Sequence, residues 1–345
     1  MPVLFCYATP YSLISLSDSG KITRVKFPYP VFIDNYPDIW SYVYNETLSQ
    51  LGLKSPQETV VVKGAADLIA QDIKGKSIKV IPAEKAFSEF NVPVMYLGER
   101  RFYSPYGFLD FNISSDRVFK WFDFDEASGN VENFFQNRLL YGPSSADSTW
   151  ERAFQNALLR EKMHFAFKNV PGTFLETVEE IYLSGEILYQ YEDLQELLLS
   201  FLDSVNIPGF WHLYFDDKAV LGPVSGFYSE KKEKALEFLG DYKFKHLADV
   251  FIVPNVYSAQ ILFKDGKKQI LNLKKEGIHL IPPIEGEEVT VSIKLKKENF
   301  EKELSGSEFG VIFDTRERPL LLSDSRSERF TMRDNLRKQV SGWEK

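Results

Sequence analysis

The 345-residue chain is poor in the residues that build small metal or redox sites. Its one cysteine, Cys6, excludes an intrachain disulfide and a cysteine cluster, and fits a reducing compartment. His164, His212, His246 and His279 are scattered along the chain without ligand spacing, so each is expected to be structural or superficial. No apolar run approaches the roughly 18 residues of a membrane helix. The short apolar run at residues 3–7 has no basic region before it and is too short for a signal-peptide core, so no secretory signal is expected. A cytoplasmic protein without membrane insertion is expected. There is no glycine-rich Walker loop and no nucleophile elbow. The net charge of −8 argues against a surface made for nucleic acid.

What is present is ordinary globular composition, 44% hydrophobic and 26% charged, with abundant rings, 29 Phe and 17 Tyr. The length implies two domains, or a duplicated unit with an added module. Apolar or alternating runs at 3–7, 13–16 and 22–27, with Asp18-Ser19-Gly20 as a turn, predict a β-meander. Helical spacing follows over 38–53, then a strand over 59–62, a helix over 65–71, a strand over 78–81 and a helix from 82 to 90.

A similar order recurs. Strands are predicted over 106–112 and 117–124. Ser148 and Glu151 form a capping box that opens a helix to 167. A strand over 178–183 ends at Ser184-Gly185, a helix covers 192–205, and a strand over 210–215 continues through 219–226. The segments at 58–68 and 179–188 share one pattern: a strand, then a glycine, then a helix.

From about 247 the pattern becomes a small β module, with strands over 250–253, 258–263, 268–273, 277–281, 288–295 and 309–313. Residues 294–302 read as a mixed-charge linker. Ser325 and Glu328 have capping-box spacing before a last helix, whose Phe330, Leu336, Val340 and Trp343 are expected to dock on the module. Asp216 and Asp217 are adjacent, so in an extended strand they point to opposite faces and make no carboxylate pair.

Near the C-terminus, Gly310, Ile312, Asp314, Arg316, Arg318, Pro319 and Leu320 stand in an order and spacing that resemble a segment of the MutL (GlmL) proteins of glutamate mutase operons. Those proteins belong to the actin-like ATPase superfamily. Leu183-Ser184-Gly185 and Leu202-Asp203 with Gly209 agree with the same family; Glu317 stands where its pattern has glycine. The resemblance implies an α/β fold of two ribonuclease-H-like halves, near 1–105 and 106–245, followed by a β module at 246–323 and a C-terminal helix at 324–345.

That fold carries nucleotide on two phosphate loops, each with an Asp for Mg²⁺ and a Gly for close backbone approach. The first counterpart here, 7–12, has neither. Pro10 removes an N–H donor and Tyr11 is expected to fill the γ-phosphate space, leaving Thr9 and Ser12. The second counterpart, 110–116, keeps Asp110, Ser114 and Ser115, with Asn112 in place of glycine. The adenosine side keeps Ser184 and Gly185. These seven residues are the candidate nucleotide contacts, with Asp110 the metal ligand only if nucleotide binds; read blandly, they are turn residues.

Two functions follow. One is a non-catalytic scaffold or adaptor, a pseudoenzyme without cofactor or catalytic residues, that binds a protein partner. Its candidate partner contacts are Arg316 and Arg318, which otherwise pair with Asp314 inside a structural turn. The alternative, implied by the resemblance, is an ATP- and Mg-dependent accessory or reactivating protein for a cobalamin-dependent mutase.

Overall fold

The computed structural model describes residues 3–27, 37–64, 78–122, 128–141, 148–189, 191–282, 288–294, 299–318, 320 and 331. The chain opens with β1 (Val3–Ala8), β2 (Ser12–Ser17) and β3 (Ile22–Lys26). It continues through α1 (Pro37–Leu51), β4 (Glu58–Lys63), β5 (Ile78–Pro82) and α2 (Ala83–Glu89). The five strands form one sheet in the order β3-β2-β1-β4-β5. β1, β2 and β3 are antiparallel, while β4 and β5 run parallel to β1. β1 is central and buried throughout its length, which is why it reads as an unbroken apolar run rather than an alternating one.

The order then repeats. β6 (Val94–Leu97), β7 (Arg101–Ser104) and β8 (Gly107–Asp110) form a second meander. Next come α3 (Ser115–Phe119), α4 (Ser128–Tyr141), α5 (Thr149–Asn169), α6 (Gly172–Thr177), β9 (Glu180–Ser184), α7 (Leu194–Ser204) and β10 (Gly209–Phe215). The second sheet reads β8-β7-β6-β9-β10, with β9 parallel to both β6 and β10. Two sheets, each with three antiparallel strands and then two parallel ones, are the duplicated ribonuclease-H-like architecture of the actin-like ATPase fold.

After α8 (Leu221–Glu230) and α9 (Lys232–Asp241) the chain returns in β11 (Lys245–Ile252), antiparallel to β10. β12 (Ser258–Phe263), β13 (Lys268–Asn272), β15 (Glu288–Lys294) and β16 (Asn299–Ser305) make a separate four-stranded sheet. β14 (Ile278–Ile281) and β17 (Val311–Asp314) instead widen the second sheet beyond β11.

Several expectations are thereby corrected. The second half begins at β6 rather than at 106, because the short run Val94–Leu97 is buried and pairs with β9. The β module is not one unit, since β11, β14 and β17 belong to the second sheet. Residues 115–119 are helical, not a strand. Val118, Trp121 and Phe122 stand at helical spacing and pack on Val131, Phe154 and Leu158. Residues 221–230 are also helical, and β16 replaces part of the expected linker. The helix over 65–71, Pro319 and the terminal helix with Phe330, Leu336, Val340 and Trp343 lie outside the described residues. The capping box at Ser148 and Glu151 forms as the sequence implies. Among the described residues no helix is long and apolar enough to cross a membrane.

The two halves share one core. Phe5, Tyr7, Val60 and Val62 from the first sheet meet Tyr96 and Tyr103 from the second, with α2 and α8 wedged against them. Phe5 stacks on Phe227 at 4.2 Å, and Tyr7 lies 4.9 Å from Tyr96. The approach of α8 depends on small residues: a Cβ on Gly222 would lie 2.9 Å from Tyr7 Cγ, and one on Gly226 would lie 2.5 Å from Val62 Cγ2. Rings and a close-packed helix therefore fill the space between the halves.

Candidate functional site: the hairpins between the two halves

In each half, the hairpin between its first two strands points toward the junction. The β1–β2 turn closes with Thr9 N–H donating to Ser12 O at 2.9 Å, and the β6–β7 turn with Gly98 N–H donating to Arg101 O at 2.8 Å. The strand that follows in each sheet ends in a glycine pressed on this region. A Cβ on Gly64 would lie 2.8 Å from Ala8 O, and one on Gly185 would lie 2.1 Å from Leu97 O. Gly185 also has φ +136°, so both its space and its backbone demand glycine. This pairing of glycines is the structural content of the repeated strand-then-glycine pattern.

The first turn satisfies itself. Thr9 Oγ1 accepts the N–H groups of Tyr11 at 3.0 Å and Ser12 at 2.8 Å. Pro10 has no N–H, so none of these donors is left facing a ligand. Ser12 Oγ is buried and accepts from Arg24 Nε at 2.9 Å, while the Arg24 guanidinium lies 4.5 Å from the Tyr189 ring centroid. Tyr11 is buried, and its hydroxyl is hydrogen-bonded by Arg100 of the other hairpin.

The second turn is charged. Glu99 N–H donates to Glu186 Oε1 at 2.5 Å. Lys162, buried on α5, reaches over to Glu99 Oε2 at 3.0 Å and to the Glu99 carbonyl at 2.7 Å. Burial pushes the Glu186 carboxyl up to about 7, reinforced by the Glu99 charge and opposed by the Glu99 N–H, Arg24 and Thr9. Nearby, Ser184 Oγ donates to Asp216 Oδ2 at 2.7 Å, and the Leu221 N–H at the start of α8 donates to the same oxygen at 2.9 Å. Burial raises Asp216 to about 6, against these hydrogen bonds. The junction thus holds proton-binding carboxyls and arginines. Among the described residues it has no histidine, cysteine or serine–base pair arranged as a nucleophile.

Of the sequence candidates, the structure gathers Thr9, Ser12, Ser184 and Gly185 around the junction. Asp110, Ser114 and Ser115 do not form the second turn. Asp110 ends the edge strand β8 and is ion-paired to Arg101 Nε at 2.5 Å, Ser114 precedes α3, and Ser115 opens it. The hairpin in that place is 98–100, so Asp110 is not placed as a metal ligand there. Glu99, Arg100, Lys162 and Glu186 were missed. The signal was Gly98-Glu99-Arg100-Arg101, a charged turn directly after an apolar run.

Arg316 and Arg318 are corrected as well. Asp314 accepts from Arg316 Nε at 2.9 Å, from Arg316 Nη2 at 2.7 Å and from Arg318 Nη2 at 2.5 Å. Arg316 continues to Asp203 at 2.8 Å, Asp203 to Arg160 at 2.6 Å, and Arg160 to Glu196 at 2.6 Å. Acids and bases alternate along a network that ties β17 to α7 and α5, and the side chains of Arg316 and Arg318, 4% and 1% exposed, are enclosed by it. Burial pushes the Arg318 guanidinium down, whereas Asp314 and Asp203 hold Arg316 firmly charged despite its burial. Gly310 takes φ +72°, while Glu317 does not have positive φ, so glutamate fits where the resembling pattern has glycine.

No protein-family model matches the chain, and no curated protein is significantly similar to it in sequence. Among solved structures, the ROK hexokinase from Thermus thermophilus is similar over 67% of this chain and 100% of its own, at 10% identity and TM-score 0.34. A ROK family glucokinase from Streptomyces griseus, in complex with glucose and AMPPNP, is similar over 68% of this chain and 100% of its own, at 8% identity and TM-score 0.36. A MamK double helical filament is similar over 70% of this chain and 99% of its own, at 11% identity and TM-score 0.36. These likenesses are distant, and the strand order of the chain itself establishes its fold.

Proposed function

We propose that the chain is a non-catalytic scaffold of actin-like fold that works by binding a protein partner and does not take ATP between its halves. One observation carries the proposal: the β1–β2 turn has no backbone donor to offer a phosphate. Thr9 holds the N–H groups of Tyr11 and Ser12, Thr9 N–H is bound to Ser12 O, and residue 10 is proline. An anion loop works through convergent free N–H groups. The β6–β7 turn supports the same reading, because the Glu99 N–H is occupied by the Glu186 carboxyl, an internal acceptor. A partner surface is supported on the four-stranded sheet, whose outward face carries Leu262 and Ile270, the latter 72% exposed.

The resemblance to MutL proteins adds a second reading, an ATP-dependent accessory protein for a mutase. What supports it is the duplicated fold together with the 310–320 motif. Titration calorimetry of the full chain with ATP and Mg²⁺ separates the two. No saturable binding in the micromolar range is expected, and micromolar affinity would overturn the scaffold reading in favour of the second.

A further inference from the structure

Outside the junction, the partly exposed face of the second sheet gathers His212, His246 and Asp249. His212 on β10 stands directly opposite Asp249 on β11. His246 is three residues before Asp249, and in a regular strand it would point to the other face. A β-bulge between Leu213 and Tyr214 changes this. On β11, Leu247 and Ala248 both enter the same buried core with Val250 and Ile252, so His246 is turned back to the side of Asp249, opposite Tyr214.

The result is a compact donor set. Asp249 Oδ1 lies 2.6 Å from His212 Nδ1 and 3.0 Å from His246 Nε2, and the donor atoms of all three residues lie within 4.8 Å of one another. The rings are held in place: His212 sits edge-on to Phe210 at 4.7 Å, and His246 stacks on Tyr214 at 4.8 Å. Asp249 is buried while the imidazoles are 21% and 16% exposed, which leaves the outer side of the cluster open to solvent. Glu180 on β9 pairs with His212 from the other side and is exposed, and its carboxylate accepts from the Tyr182 hydroxyl at 2.9 Å.

We propose that His212, His246 and Asp249 form a binding site for a zinc-type divalent cation of the first transition row. Two imidazoles and one carboxylate suit such an ion, whereas Mg²⁺ and Ca²⁺ prefer all-oxygen shells. Two neutral ligands and one anion leave the bound ion with net positive charge, which a solvent hydroxide offsets at the open position. The site bridges β10 and β11, where the second ribonuclease-H-like half joins the strands appended to it. Bound metal therefore clamps that junction.

The test is calorimetry of the chelator-treated full chain with ZnCl₂, with thermal melting in parallel. One equivalent is expected to bind and to raise the melting temperature. His246→Ala and Asp249→Asn are expected to weaken binding by more than the roughly 10–100-fold typical of losing an outer-shell partner. His279→Ala is expected to bind like the wild type. If the ligand variants do not fold, Co²⁺ added to the wild type gives a second readout, because it should paramagnetically shift the ring signals of His212 and His246 but not those of His164 and His279. Absence of saturable zinc binding, folded variants that bind unchanged, or unshifted His212 and His246 signals would each overturn the site and leave a metal-free hydrogen-bonded triad.

Discussion

The β1–β2 and β6–β7 hairpins hold equivalent places in their sheets and close with the same hydrogen bond, yet they are completed in opposite ways. The first uses one neutral hydroxyl from within its own turn, Thr9, to take up the N–H groups of Tyr11 and Ser12. The second imports charge from distant elements: Lys162 from α5 and Glu186 from the turn after β9. Strand order decides where a loop lies, while a few side chains decide what its backbone binds. The first turn is local and its loss should be modest. The second is a buried electrostatic assembly whose parts depend on one another.

The comparison breaks most severely at Lys162. Lys162→Met leaves Glu99, 6% exposed, without its ammonium partner, and a stability loss of about 3–5 kcal/mol is expected by urea denaturation. A loss below about 1 kcal/mol would place the pair with ordinary surface ion pairs and remove the contrast between the hairpins.

Glu186 comes next, with a signature in pH. Its folded carboxyl, raised to about 7 from the ordinary 4.5 mainly by burial, holds its proton more tightly than in the unfolded chain. Its contribution is therefore fully present below the unfolded value and is lost as pH rises to about 7, a difference of up to roughly 3 kcal/mol. Asp216, raised to about 6, acts with the same sign over a lower window. Glu186→Gln keeps an oxygen for the Glu99 N–H and removes the titration. Subtracting the urea midpoints of this variant from those of the wild type, from pH 4.5 to 7.5, should show the wild type losing ground as pH rises. A flat difference would mean that Glu186 is not a proton-binding member of the second hairpin.

The smallest effect belongs to Thr9. Thr9→Ala frees two buried N–H groups and should destabilise by about 1–2 kcal/mol, whereas Thr9→Ser should restore most of the loss. Equal losses in the two variants would show that the methyl group, not the hydroxyl, completes the first turn.

Much of the fold was legible because duplication leaves a local trace. The strand-then-glycine pattern at 58–64 and 180–185 corresponds to glycines pressed on the carbonyls of Ala8 and Leu97, which no side chain can share. The helix cap at Ser148 was equally local. The misread elements were those in which neighbours override local pattern. Residues 221–230 look β-prone and glycine-rich, but Gly222 and Gly226 are the small faces of a helix packed on Tyr7 and Val62. Val94–Leu97 is short and uniformly apolar, and only its pairing with β9 marks it as the first strand of the second half.

The candidate site divides the same way. Thr9, Ser12, Ser184 and Gly185 were reachable because turn chemistry depends on residues a few positions apart. Glu99, Lys162 and Glu186 were not, since 63 residues separate the first two and 87 separate the first from the last. His212 and His246 share no sequence spacing, and a one-residue bulge on β11 brings them to one face. By itself the sequence determined the alternation of strands and helices, their caps and the glycine-marked repeat, all of which depend on backbone preferences within about one turn or one hairpin. Only the tertiary structure decided that the N–H groups of the first hairpin are already occupied, that the side chains of Arg316 and Arg318 are enclosed, and that two remote histidines meet one aspartate. Burial and charge pairing are properties of groups brought together across the chain, and the free energy of a charge is set by the neighbours it meets there.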